Sequence, residues 1–346
     1  MDNKQIKKLE KRYDGISASS IGLIQVHPKY YRNYVDRLLE EDTPKYFEIG
    51  TQTHMYLLEN DKFKDSYTFL DFVKPKGDNQ NLYCELVAQN IKEGIKINKE
   101  ILLDVYKKSY VTAKKSDDKV LEESKKLYKQ LTKYINYLIT RDKYKEILSY
   151  STRKYLNEAE YAIKSHTKAK ELLFSYNDLI DDPNIYVINE KRILWEHPTL
   201  SINNEPIVCK SFLDRLEINF DKKIIKLIDL KTSSNLPEFE DKFQAYKYYR
   251  QMAFYWMSIS YLFKTEFKEY NLKDFSFETY IVVIQTPNMY KDYPIVCKVF
   301  PISEKSLEKG YKEINDLLNE IKWHTENKKW EHSKSYYENN GLENIL

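Results

Sequence analysis

An α/β fold, with a central mixed β-sheet flanked by helices and a large helical elaboration in its N-terminal half, is what this 346-residue chain predicts. Two observations carry that prediction. Ile224, Ile225, Leu227 and Ile228 form a nearly unbroken apolar run, the pattern of a central strand covered on both faces. Strand-like and helical patterns alternate after about residue 186, whereas the preceding residues read mostly as helix and turn.

Residues 1–60 read as helices and turns, and Ser19 or Ser20 in ISASSIGLIQVHPKYY is placed to cap a helix start. A helix from about Phe47 is expected because Tyr46, Ile49, Tyr56 and Leu57 recur at helical intervals. Gly50 then lies one turn before His54 on the same face, a small residue leaving room for a neighbour. Residues 83–174 read as mostly helical. There Leu121, Leu127, Leu131, Tyr134 and Leu138 are spaced as an apolar stripe, with Asp117 or Asp118 as the cap. The charged remainder of that helix is a solvated face by default, with the lining of a DNA channel as the alternative.

Strands are expected over about 186–195, 207–219 and 223–231, followed by a long helix over 240–263. Two further strands, 278–285 and 294–300, complete the sheet. A last helix over 303–325 starts at Ser303 and repeats Ser306, Leu307, Tyr311, Ile314 and Leu318 at helical spacing. By length the chain could be one large domain or two, and the whole of 1–346 is expected to be a single domain.

The chemistry centres on the middle strands. Asp214 ends one apolar segment, and Asp229-Leu230-Lys231 ends the next. Alternation puts Asp229 and Lys231 on one side and Leu230 on the other. Carboxylates held close in an apolar frame repel each other and resist ionisation, and a divalent cation relieves both effects. Mg²⁺ takes few carboxylates and keeps waters, which leaves positions for phosphate oxygens. The competing reading is a buried Asp–Lys salt bridge, which contributes little net stability.

These residues resemble the core of the PD-(D/E)XK nuclease superfamily, with Asp214 in the "PD" position, Leu213 replacing the proline, and Asp229-Leu230-Lys231 as the (D/E)XK element. FEIGTQTHMYLLE resembles the G-T-x-x-H helix of RecB-type and RecE-type nucleases, which implies that His54 is a metal ligand; by itself a lone histidine is more often an ordinary interfacial one. NEKRILWEHP resembles the strand that offers a further acid, here Glu190, with Glu196 as the fallback. YRQMAFYW resembles the family's Gln-x-x-x-Tyr helix, and Gln244, Tyr248, Gln251 and Tyr255 would share one helical stripe. The Ser-rich opening is similar to that of RecE-type enzymes.

The resemblance is closest to the RecE-like (exodeoxyribonuclease VIII) and lambda-exonuclease-like branch. It implies a restriction-endonuclease-like fold and Mg²⁺-dependent 5′ to 3′ exonuclease action on linear double-stranded DNA, in phage-type recombination or repair. Mn²⁺ is the substitute ion. The implied catalytic residues are Asp214, Asp229, Lys231 and Glu190. The implied metal ligands are His54, Asp214, Asp229, Glu190 and the Leu230 carbonyl, and the implied DNA contacts are Gln251, Tyr255, Tyr248, Arg250, Ser19 and Ser20. A single-strand annealing protein and a homo-oligomeric ring are the implied partners. A structure- or site-selective endonuclease, a catalytically silent DNA-binding protein and an RNA-directed nuclease remain as alternatives.

Composition narrows the rest. With 56 basic and 53 acidic residues the net charge is only +3, so any DNA binding must use a local surface. Cys84, Cys209 and Cys297 are isolated, which excludes a disulfide framework and the four-cysteine iron-sulfur relatives. No phosphate-binding glycine loop suggests a nucleotide site. No apolar run approaches the ~18 residues that cross a bilayer, and the N-terminal segment has no hydrophobic signal region. The expectation is a cytoplasmic protein of a bacterial or phage-infected cell, without membrane contact.

Overall fold

The computed structural model describes residues 15–39, 45–69, 72–111, 115–140, 145–175, 182–287 and 294–342. The segment 1–14, read above as lacking a signal region, and the side chain of Tyr46 lie outside the described residues. The chain divides into two compact units, Asp61–Lys154 and the remainder, Met1–Asn60 with Tyr155–Leu346.

The larger unit begins with short helices, α1 (Leu23–Val26), α2 (Pro28–Val35) and α3 (Lys45–Leu58). Its sheet has five strands: β3 (Ile185–Ile202), β4 (Glu205–Asn219), β5 (Ile224–Ser233), β6 (Ser276–Gln285) and β7 (Cys297–Pro301). They lie in sequence order, and every neighbouring pair is antiparallel except β5 and β6, which run parallel. The sheet is therefore mixed and flanked by helices, as the sequence predicts, and each expected strand is present. β3 alone runs well past its expected end, through a register shift between Glu196 and Ser201.

The expected helix over 240–263 is two helices, α10 (Phe239–Ala245) and α11 (Tyr248–Thr265). Lys247 between them takes a left-handed conformation, φ 57°, which interrupts the helical ladder. Nothing in the residue type announces this, since a lysine there carries a steric cost of about 1–2 kcal/mol. Gln244 consequently falls on α10 and leaves the stripe that Tyr248, Gln251 and Tyr255 share.

α12 (Glu304–Asn327) starts at Ser303, whose hydroxyl accepts from Ser306 N–H, and packs on α11 through Gly310. A Cβ at Gly310 would stand 2.7 Å from both Ala253 Cβ and the Tyr249 carbonyl oxygen, so only glycine permits this approach. Trp195 from β3 fills the layer between sheet and α11, edge-on to Phe254 at 4.9 Å, and its Nε1–H donates to Ser211. Leu216, Ile225, Leu227, Ile281 and Val283 extend the same core.

The smaller unit holds α4 (Asn60–Ser66, beginning at its border), α5 (Asp78–Lys92), α6 (Lys99–Ser109) and α7 (Asp117–Thr140), with β1 (Tyr67–Phe69) parallel to β2 (Glu146–Leu148). α7 buries Val120, Ser124, Leu127, Leu131, Ile135 and Leu138. Leu127, Leu131 and Leu138 of the expected stripe are buried, while Val120 and Ile135 take the places expected for Leu121 and Tyr134. Ser124 sits within it because its hydroxyl donates to the Leu102 carbonyl and meets Tyr83 OH. The expected 83–174 helical region continues as α8 (Tyr150–Ser165), in which the border between the units falls, and as α9 (Thr167–Phe174) in the larger unit.

Candidate active site

Three antiparallel segments supply the site through one irregularity. In β3 the residues packed on the main core are Tyr186 and Ile188, then Ile193 and Trp195. In β4 they are Ile207, Cys209 and Leu213, then Leu216 and Ile218. Strand alternation has period two, so both strands exchange faces at the same place. That place is Glu190 on β3, at φ 49°, opposite Asp214–Arg215 on β4. A glutamate with positive φ inside a strand is strained by roughly 1–3 kcal/mol, and such residues cluster at functional sites.

The exchange delivers Glu190 and Asp214 to α3. His54 Nδ1 stands 2.9 Å from Glu190 Oε1 and 3.8 Å from Asp214 Oδ2. One ligand atom from each of His54, Glu190 and Asp214 lies within 4.8 Å of the others, so the three could hold a metal ion. Gly50, one turn earlier on α3, faces β5, where a Cβ would meet Thr232 Oγ1 at 3.4 Å. The room predicted for a neighbour is taken by that threonine.

Beyond Arg215↔Ile228 the β4–β5 ladder stops. There Asp214 Oδ2 accepts the Leu230 N–H at 2.7 Å, so a carboxylate takes the place of a backbone carbonyl. Leu230 enters the site through that N–H. Asp229 lies outside the three-ligand group and is paired with Lys231, Nζ to Oδ2 2.5 Å. Asp229 Oδ1 is buried without a hydrogen-bond partner among the described residues. Lys231 Nζ also lies 5.2 Å from the centre of the Tyr248 ring.

Electrostatics follow from this packing. Burial disfavours the His54 imidazolium, but Asp214 and Glu190 together outweigh it and raise the imidazole from 6.5 to about 9. Burial likewise opposes the Lys231 charge, yet Asp229 and Asp214 hold its pKa above the ordinary value. Asp229 is pushed upward, first by burial and then by Asp214, against the pull of Lys231. Burial and the two aspartates keep the Tyr255 phenol protonated, and its oxygen accepts Gln251 Nε2–H at 2.7 Å.

Other expected site residues lie elsewhere. Arg250 is buried, donates to Gln25 Oε1 at 2.7 Å and stands 3.7 Å from Glu313, so it braces α1 against α11 and α12 where phosphate contact was expected. Ser20 is buried and bonded within its own turn to Ser17, and Ser19 is exposed and caps no helix with its side chain. His27 caps α2 instead, accepting from Lys29 N–H. Glu196, the fallback acid, is exposed six residues along β3 from Glu190.

Sequence reading missed the polar chain behind the site. Asn189 Nδ2–H donates to the Leu58 carbonyl at the end of α3, and its Oδ1 accepts from Arg215 Nη1. Arg215 in turn pairs with Glu217, and both are almost wholly buried. The available signal was polar residues at 215 and 217, two apart on one face of an otherwise apolar strand.

Among the described residues no helix is long and apolar enough to cross a membrane. No protein-family model matches the chain, and no curated protein does. Among solved structures, the chain is similar to a "Putative exonuclease" from Eubacterium rectale, with 9% identity, 100% of this chain and 96% of that one covered, and a TM-score of 0.45.

Proposed function

We propose that this chain is a divalent-metal-dependent deoxyribonuclease of the PD-(D/E)XK type, acting as a 5′ to 3′ exonuclease on linear duplex DNA. One observation carries the reading: His54, 136 residues before Glu190 in sequence, meets Glu190 and Asp214 where β3 and β4 exchange faces, beside the Asp229–Lys231 pair. A structural salt bridge alone needs neither the imidazole nor Glu190. The unpartnered buried Asp229 Oδ1 and the imidazole–carboxylate set fit a hard or borderline divalent ion.

His54, Asp214, Asp229, Glu190 and the Leu230 carbonyl would hold Mg²⁺, or Mn²⁺ in its place. Bound there, the ion supplies positive charge to the phosphate oxygens and makes a water more acidic. His54 must release its proton to become a ligand. Lys231, kept charged by the two aspartates, orients the attacking water and offsets charge building on the phosphate; its raised pKa makes it a cation at the site rather than a base. The Tyr255 hydroxyl accepts from Gln251 and so keeps its own proton to donate to a phosphate oxygen. Tyr248 restricts the lysine to one side of the pair. A single-strand annealing partner, a ring-shaped homo-oligomer and phage-type recombination or repair in the cytoplasm belong to the same reading.

The test is end-labelled linear duplex and covalently closed circular DNA, each with Mg²⁺, Mn²⁺ or EDTA, resolved on denaturing gels. Mononucleotides from the 5′ end of the linear substrate, an intact circle and silence in EDTA are expected. Lys231→Ala should lower the rate on the order of 10³-fold with an unchanged circular dichroism spectrum. Nicking of the circle would convert the assignment to an endonuclease, and no metal-dependent cleavage of either substrate would remove it.

A further inference from the structure

The two units divide the chain's charge unevenly. Asp61–Lys154 holds 21 Lys and Arg against 14 Asp and Glu, a net +7, while the whole chain carries +3 and the larger unit is therefore net −4. Much of that excess lies on one helix. Lys125, Lys129 and Lys133 follow one another at i, i+4 and i+8 on α7, with Lys126 beside them, and all four are exposed. They occupy the face opposite Leu127, Leu131 and Ile135. From Ser124 to Thr140 the helix carries no acid; Asp118 and Glu122, nearer its start, are the exposed acids closest to the row.

Neighbouring lysines behave differently. Lys107, Lys108 and Lys115 pair with Asp117, Asp104 and Glu123. The row on α7 makes no ion pair among the described residues. Lysines favour the C-terminal half of a helix through its dipole, but that effect is confined to the last turn. Like charges four apart on a helix repel each other. An external polyanion is what this arrangement gains from.

We infer that the exposed lysine face of α7 binds the phosphate backbone of double-stranded DNA. The choice of DNA as the polyanion rests on the proposed function; the surface itself rests on the charge division and the unpaired row. Binding of this kind reads no sequence and depends on salt, because each neutralised phosphate releases counterions.

The experiment uses the full chain in EDTA, where cleavage does not interfere, and follows a short fluorescein-labelled duplex by anisotropy at several salt concentrations. Replacing Lys125, Lys129 and Lys133 together by Gln preserves helix propensity and should weaken binding at least tenfold at low salt. The slope of log K against log salt should become shallower by about 2–3, near 0.9 for each lost phosphate contact. The triple Lys→Arg variant should bind as the parent does. Unchanged affinity and slope in the Gln variant would overturn the inference, as would stronger lysine-dependent binding to phosphatidylserine vesicles than to duplex. Lysine-dependent binding by a protein that never cleaves would leave this surface standing and remove only the nuclease reading.

Discussion

Both units carry ion pairs at the surface, but among the described residues only the sheet-containing unit also buries charge. In the sheet-containing unit, Arg215 and Glu217 are almost completely buried and face each other at 2.7 Å, and Asp229 is 1% exposed beside Lys231. In the helical unit, the pairs of Lys107, Lys108 and Lys115 sit at the surface, and the lysines of α7 have no partner among the described residues. Water screens the second set and is excluded from the first. A buried charge that remains ionised must therefore be held by geometry, and here that geometry also fixes β3 and β4 at the point where they exchange faces. Solvated charge fixes nothing and is free to meet a partner.

The largest effect should come from opening the buried chain. Arg215→Ala leaves Glu217 without its bonded cation and Asn189 without a donor, and breaking a buried pair on one side costs roughly 3–5 kcal/mol. Urea unfolding monitored by circular dichroism measures it. Because Asn189 also holds the Leu58 carbonyl, Arg215→Lys should recover part of the stability while leaving that donor badly placed. A loss below about 1 kcal/mol would mean that water reaches the pair, and the contrast between the units would fail.

The site was legible in sequence where alternation and order sufficed. An aspartate in one strand, an Asp-x-Lys in the next and a histidine one turn after a glycine bring Asp214, Asp229, Lys231 and His54 to one place, although Asp214, expected to end its strand, lies inside β4 (Glu205–Asn219). What stayed hidden depends on backbone conformation that residue type does not announce. Glu190 and Lys247 both have positive φ, a state a sequence reader assigns to glycine or asparagine. The first rotates β3 so that its glutamate meets His54, and the second breaks the helix that was expected to carry Gln244 with Tyr255. Arg250 misleads for a related reason. An arginine next to the stripe of Gln251 and Tyr255 was expected to reach a phosphate, yet Gly22 leaves space for its guanidinium to turn inward toward Gln25, since a Cβ there would stand 2.6 Å from Arg250 Nη2.

An intermediate effect is expected from pH. The His54 pKa rises from 6.5 to about 9 on folding, so its contribution to metal-free stability is whole below pH 6.5 and is lost as pH climbs through 9. Asp229, raised from 3.8 to about 6, titrates below this window, and Lys231, raised from 10.5, above it. Thermal unfolding in EDTA between pH 7 and pH 9 should show a fall on the order of 2 kcal/mol. His54→Gln should flatten the curve. The same slope in His54→Gln would assign it to another group and loosen the imidazole from the carboxylates. The helical unit, Asp61–Lys154, contains no histidine to supply a counterpart.

The smallest change tests the other side of the comparison. Lys108 pairs with Asp104 at 2.7 Å along α6, one turn apart, with the two side chains 61% and 54% exposed. The ammonium is already hydrated, and holding two long side chains in one geometry offsets most of the attraction. Lys108→Ala should therefore alter the unfolding free energy measured in urea by less than about 0.5 kcal/mol at low salt and by nothing measurable at high salt, since alanine also has the higher helix propensity. A salt-insensitive loss of several times that size would show the pair to be structural. The lysine face of α7, on a neighbouring helix of the same unit, would then be better read as part of a stabilising network than as a surface held open for a polyanion.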